Sequence, residues 1–122
     1  MPINATDLNE GTLREMIDAL DMESVRSLID FYVEETRERM PKMRILMGAA
    51  NLKELQTEAH SLKGASRTYG AAGLGELAFE LEKACKENSA TEAEKWLAEA
   101  EAAAEPAIGA LMDYLDHQPE NG

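Results

Sequence analysis

The chain has 122 residues, of which 44% are hydrophobic and 30% charged, and its formal net charge is -12. That length suits one domain spanning residues 1–122, able to bury a core without metal or disulfides, and the hydrophobic content separates it from disordered chains. The strong negative charge argues against nucleic acid and against an anionic membrane surface as partners.

Aromatic residues are few, while Ala, Leu, Met and Glu abound, a composition that favours helix over sheet. Residues 1–11 are polar and are expected to be loose. They lack the basic start and apolar run of a signal peptide, and no stretch approaches the length of a membrane span. A cytoplasmic protein is expected, and Met1 favours a free-standing one. Thr12 and Glu15 form a possible capping box, opening a short helix with Leu13, Met16, Ile17 and Leu20 on one face. Such a helix is too short to stand alone and is expected to cover one end of a bundle.

Asp21 can cap a long second helix. Val25, Leu28, Ile29, Tyr32, Thr36, Met40, Met43 and Met47 hold the helical phase as far as Gly48. Pro41 interrupts this run, and because the phase persists beyond it a kink is expected. The methionines read as core filling near that kink.

Asn51 and Glu54 resemble another capping box, and Gly70 is placed as a left-handed stop. Between them Leu52, Leu55, Ala59, Leu62, Ser66 and Tyr69 recur in steps of three and four, the mark of one buried helix face. His60 lies off that stripe. Its neighbours on the outer face, three, four and seven positions away, are Lys53, Gln56, Thr57, Lys63, Gly64 and Arg67. The histidine should therefore stand in water with cations one turn away. Gly64 costs ~1 kcal/mol against alanine in a helix interior. On a solvent face, packing within the domain does not explain it, and close approach by another molecule does.

A fourth helix should begin near Ala71 or Ala72 and reach about Glu87, burying Leu74, Leu77, Ala78, Leu81, Ala84 and Cys85. The single cysteine cannot form an internal disulfide and reads as a buried, inert thiol. Asn88 and Ser89 form a loop, and Thr91 with Glu94 suits the cap of a last helix presenting Leu97, Ala100, Ala104, Ile108, Leu111 and Leu115. Pro106 should bend or split it. His117 falls in a polar tail without an assigned role, and residues 118–122 are expected to be loose. The fold class is all-α: an antiparallel four-helix bundle with a short additional N-terminal helix.

The sequence holds no clustered metal ligands and no Gly-x-x-x-x-Gly-Lys phosphate loop. Residues 51–69 sum to one positive charge, leaving all the negative excess to the rest of the chain. An exposed histidine among cations is suited to carrying a phosphoryl group, since a neutral imidazole is a competent nucleophile.

The run His60-Ser61-Leu62-Lys63-Gly64, followed by Gly70, Leu74, Leu77 and Leu81-Glu82, resembles the motif of histidine phosphotransfer (HPt) domains. The resemblance implies a two-component phosphorelay carrier with His60 as phosphoryl acceptor and donor, and Lys63 and Gly64 flanking it. It implies receiver domains and a hybrid or sensor histidine kinase as partners. No cofactor is expected on this domain, with magnesium held by the receiver, and a monomer is expected. Arg67, Gln56, Thr57 and Lys53 are candidate docking residues beside Gly64. Some members carry glutamine where this chain has Glu82. A carboxylate there could repel a phosphoryl group, so Glu82 receives no phosphate-binding role. Two rivals are a helical interaction module without phosphate chemistry and the histidine-bearing dimerisation helix of a sensor kinase. The latter commonly has an acidic residue directly after the histidine, where this chain has Ser61.

Overall fold

The computed structural model describes residues 2–119 and contains five helices. They are α1 (Glu10–Ala19), α2 (Met22–Gly48), α3 (Leu52–Thr68), α4 (Ala72–Lys86) and α5 (Ala90–Asp116). Cross-helix pairs give the register of the bundle. Tyr32 meets Ser66 and Arg39 meets Glu58, so α2 and α3 run antiparallel. Arg67 meets Glu76 and His60 meets Glu82, which does the same for α3 and α4. Arg26, Arg37 and Arg44 meet Asp116, Glu105 and Glu101, which closes the ring from α2 back to α5. The expected antiparallel four-helix bundle with an additional N-terminal helix is the observed fold.

Capping chemistry sets the starts of four helices. Asn9, Asp21, Asn51 and Ser89 each accept a hydrogen bond from the backbone N–H three residues on. Two starts differ from expectation. Asn9 rather than Thr12 caps α1, and Ser89 rather than Thr91 caps α5, because each earlier side chain reaches the first free N–H before the later one can. The turns after α2, α3 and α4 each place one residue in the left-handed region: Ala50, Gly70 and Asn88. In each, the next residue's N–H reaches back to a carbonyl of the last helical turn: Asn51 to Leu46, Ala71 to Ser66 and Ser89 to Ala84.

Pro41 and Pro106 interrupt neither α2 nor α5, so of the two outcomes expected at Pro106, a bend or a split, the split does not occur. Both are exposed. Their missing donors leave carbonyls on the wet side of the helix, where water can satisfy them. The core packs the apolar stripes of α2 to α5, and α5 contributes buried Ala93, Ala100, Ala103, Ala104 and Ala107 as a narrow seam. Leu20 and Leu28 lie outside it, exposed at the rims of α1 and α2 rather than on the buried stripes. The polar member of the α3 stripe, Ser66, is fully buried and hydrogen-bonds the Tyr32 hydroxyl at 2.6 Å.

The N-terminal segment is not loose over residues 2–11. Ile3, Ala5 and Leu8 pack on the core, and Asn9 N–H donates to the Gly70 carbonyl at 2.8 Å. The start of α4 has no side-chain cap. Instead Gly73 N–H donates to the Asp7 carbonyl at 2.9 Å. Met1 and residues 120–122, also expected to be loose, lie outside the described residues. Gln118 is tied down, its amide donating to the Tyr114 carbonyl.

Gly73 permits this arrangement, because a side-chain carbon there would collide with the Asn4 and Ala5 backbone. Gly73→Ala should therefore lower stability by ~1–3 kcal/mol, the range for overpacking. Urea denaturation would measure it, and an unchanged midpoint would show that the segment yields without cost.

Candidate functional site

Positioning of the site begins with α3. Ala59 and Leu62 are fully buried on either side of His60, which turns the imidazole outward, and its side chain is 67% exposed. Gly64 lies one turn on along the same face with nothing near its missing side chain. The expected exposed histidine and bare patch are both present.

Lys63 differs from expectation. It is not a free cation beside the histidine, since its side chain is 17% exposed and its Nζ lies 2.7 Å from Glu82 Oε1 on α4. Glu82 Oε2 sits 2.8 Å from His60 Nδ1, and Lys86 Nζ approaches the same oxygen at 3.4 Å. One buried carboxylate thus gathers an imidazole and two ammonium groups. At 2.7 Å the Lys63 ion pair is the shortest of the three contacts to this carboxylate.

The α3–α4 crossing makes this reach possible. At Gly75 a side-chain carbon would press within 3.3 Å of Arg67 Cγ, so glycine there brings the helices close. Arg67 lies beyond, 3.5 Å from Glu76. Phe79, 39% exposed on α4, lies beneath both Lys63 and Arg67 at cation–π distance. Lys53 and Thr57 are exposed and Gln56 half-buried, all further back along α3 and outside the Glu82 cluster.

Glu82 is the site residue that sequence reasoning left without a role. A signal for it existed: it falls between Ala78, Leu81 and Cys85 on the buried stripe, where a carboxylate needs partners. Burial by itself would raise its pKa. The contacts with Lys63 and His60, and the charges of Lys63 and Lys86, reverse that and hold the carboxyl down at about 2. Glu82 is therefore an anion at neutral pH and can only accept. His60 Nδ1 must carry the hydrogen, which leaves the lone pair of a neutral imidazole on Nε2. Burial and the Glu82 charge push the neighbouring Cys85 thiol up to about 11, in keeping with an unreactive cysteine. Among the described residues no three His, Cys, Asp or Glu side chains are grouped to hold a metal ion.

A protein-family model described as "Hpt domain" matches residues 27–118, which is most of the chain. The chain belongs to the Hpt domain family. Hpt domains act as histidine phosphotransfer carriers in phosphorelays, working with receiver domains and histidine kinases. The fold of this Hpt domain is similar to the crystal structure of histidine-containing phosphotransfer protein B (HptB) from Pseudomonas aeruginosa PAO1. The TM-score is 0.83 at 22% identity, covering 95% of this chain and 100% of that one. A comparison with curated protein sequences finds no match. The family match begins inside α2, so α1 and the segment before it lie outside the matched region.

The electrostatics of Glu82 give a pH signature. A carboxyl lowered on folding adds stability that is complete above its ordinary value of 4.5 and is lost as pH falls toward about 2. The stability deficit of Glu82→Gln, from urea titrations, should be largest near pH ~7 and shrink near pH ~3. An equal deficit at both would mean that the carboxylate charge is not what its neighbours hold.

Proposed function

We propose that this Hpt domain carries the phosphoryl group on Nε2 of His60. The observation that supports this is the buried Glu82 carboxylate on Nδ1, which leaves Nε2 the free nitrogen of an exposed ring. In the transfer, the Nε2 lone pair bonds to phosphorus as the bond to the receiver's aspartate oxygen breaks. That oxygen departs with the electron pair as carboxylate. Nδ1 keeps its hydrogen, so the ring becomes positively charged against the Glu82 carboxylate. Donation to the next receiver reverses each step. The receiver supplies the aspartate and the magnesium ion, and no cofactor is assigned to this domain.

Lys63 provides electrostatic support. A pair of unit charges at ~4 Å is worth ~1 kcal/mol in water and ~4 kcal/mol near a protein surface, so its effect grows when a docked receiver displaces water. Gly64 gives the clearance that a receiver needs to bring its aspartate to the ring. Arg67 is a docking residue on the α4 side, and Lys53, Gln56 and Thr57 extend the surface along α3. The domain acts as a monomer in the cytoplasm, and no helix among the described residues is long and apolar enough to cross a membrane. An interaction module without phosphate chemistry would have no use for an imidazole held in one tautomer.

His60→Gln should abolish acceptance from a phosphorylated receiver domain and lower stability by ~1 kcal/mol or more, because the exposed ring also donates to the buried Glu82 carboxylate. Retained acid-labile label on that variant would place the acceptor elsewhere. At Gly64, fold and function should move in opposite directions. Gly64→Ala should stabilise the domain by ~0.5–1 kcal/mol through helix propensity. Gly64→Gln should also melt higher, yet transfer far more slowly, since a misplacement of ~1 Å can cost ~100-fold in rate. Thermal melts and rapid-quench transfer, run on both variants, check this. A higher melt with normal transfer would put the receiver on another side of His60.

A further inference from the structure

We propose that Lys86 is a positioning residue for phosphoryl transfer: it shares the Glu82 carboxylate with Lys63, so that Lys63 can turn to an arriving phosphoryl group without leaving that carboxylate unpaired. This inference rests on the phosphocarrier role of His60.

Lys63 cannot serve two anions equally. At rest its Nζ lies 2.7 Å from Glu82 Oε1, and the carboxylate is only 5% exposed. Removing the sole cation from a buried carboxylate is costly. Here a second cation is already in place. Lys86 stands one helical turn beyond Glu82 on α4 itself, with Nζ 3.4 Å from Oε2 and a side chain 57% exposed. Its contact is made within α4 and does not depend on where the α3 lysine points. The other lysine of that turn, Lys83, is exposed and makes no ion pair with Glu82 among the described residues.

The charges of the cluster fit this division. At rest, with a neutral imidazole, one carboxylate faces two ammonium groups, an excess of one positive charge. Phosphorylation adds a dianion and turns the ring into a cation, which brings the cluster to neutrality. Without Lys86 the resting cluster is neutral and the phosphorylated one carries an excess negative charge. Lys86 therefore favours the phosphorylated state and the path to it, acting through Glu82 and Lys63 rather than on the phosphoryl group itself.

Phosphoramidate, a small donor, tests this without a receiver and so without any docking contact. The Nε2 lone pair forms the bond to phosphorus as the phosphorus–nitrogen bond of the donor breaks and ammonia leaves with the electron pair. His117, exposed on the far end of α5, is an internal reference in the same chain. Lys86→Ala should slow labelling of His60 about two- to fivefold, the worth of a partly exposed ion pair, with His117 labelling unchanged. Lys86→Arg should restore the wild-type rate. In a Glu82→Gln background there is no carboxylate to share, so adding Lys86→Ala should change the rate less than the same substitution does alone. An undiminished effect in that background overturns the proposal, as does a normal His60 rate in Lys86→Ala. If Lys86→Ala behaves as expected but a phosphorylated receiver transfers nothing to the wild type, the relay role fails while the charge sharing stands.

Discussion

A single buried carboxylate governs the chemistry of this bundle. Glu82 is 4% exposed and would not remain ionised there alone. It is stable because α3 delivers His60 and Lys63 to it and α4 adds Lys86. The dependence runs both ways. The ring has its orientation, and its proton on one defined nitrogen, only while the carboxylate is in place. Close approach of α3 and α4, permitted by Gly75, is therefore as much a part of the site as the imidazole.

The same bundle divides its charges by location. Arg37 and Arg44 meet glutamates of α5 in directed, solvent-exposed pairs on the α2–α5 seam, away from the histidine. Such exposed pairs add little stability one by one. They fix which residue of α2 sits opposite which residue of α5, and they consume acidic side chains that would otherwise repel one another. The cations around His60 remain on the α3–α4 side, gathered on Glu82.

Most of the fold was legible in the sequence because helical phase is a local property. The stripes of α2, α3 and α4, the Asn51 cap and the Gly70 stop all follow from spacing and residue type. Ala50 did not announce its left-handed turn, since alanine disfavours that region and the neighbouring helices impose it, whereas Asn88, a residue that enters it readily, was legible as a loop. His60 and Gly64 were legible as exposed positions for the same local reason. The setting of Lys63 was legible only in part: spacing puts it one turn from the histidine, but its partner is on another helix. The role of Glu82 was not legible, because His60 and Lys63, which hold its charge, lie on another helix. Distance across two helices is not written in the spacing of either.

The carbonyl of Asp7 closes the first turn of α4, and Asn9 fastens the same end to Gly70. Both lie well before residue 27, where the family match begins. The stretch that can be recognised and the stretch that folds thus have different borders. A chain trimmed to its recognisable part keeps all the chemistry of the site but leaves the helix bearing Glu82 frayed at its start. The leading residues thus serve the bundle twice, through backbone groups that hold the start of α4 and through the side chains of Ile3, Ala5 and Leu8 on the core.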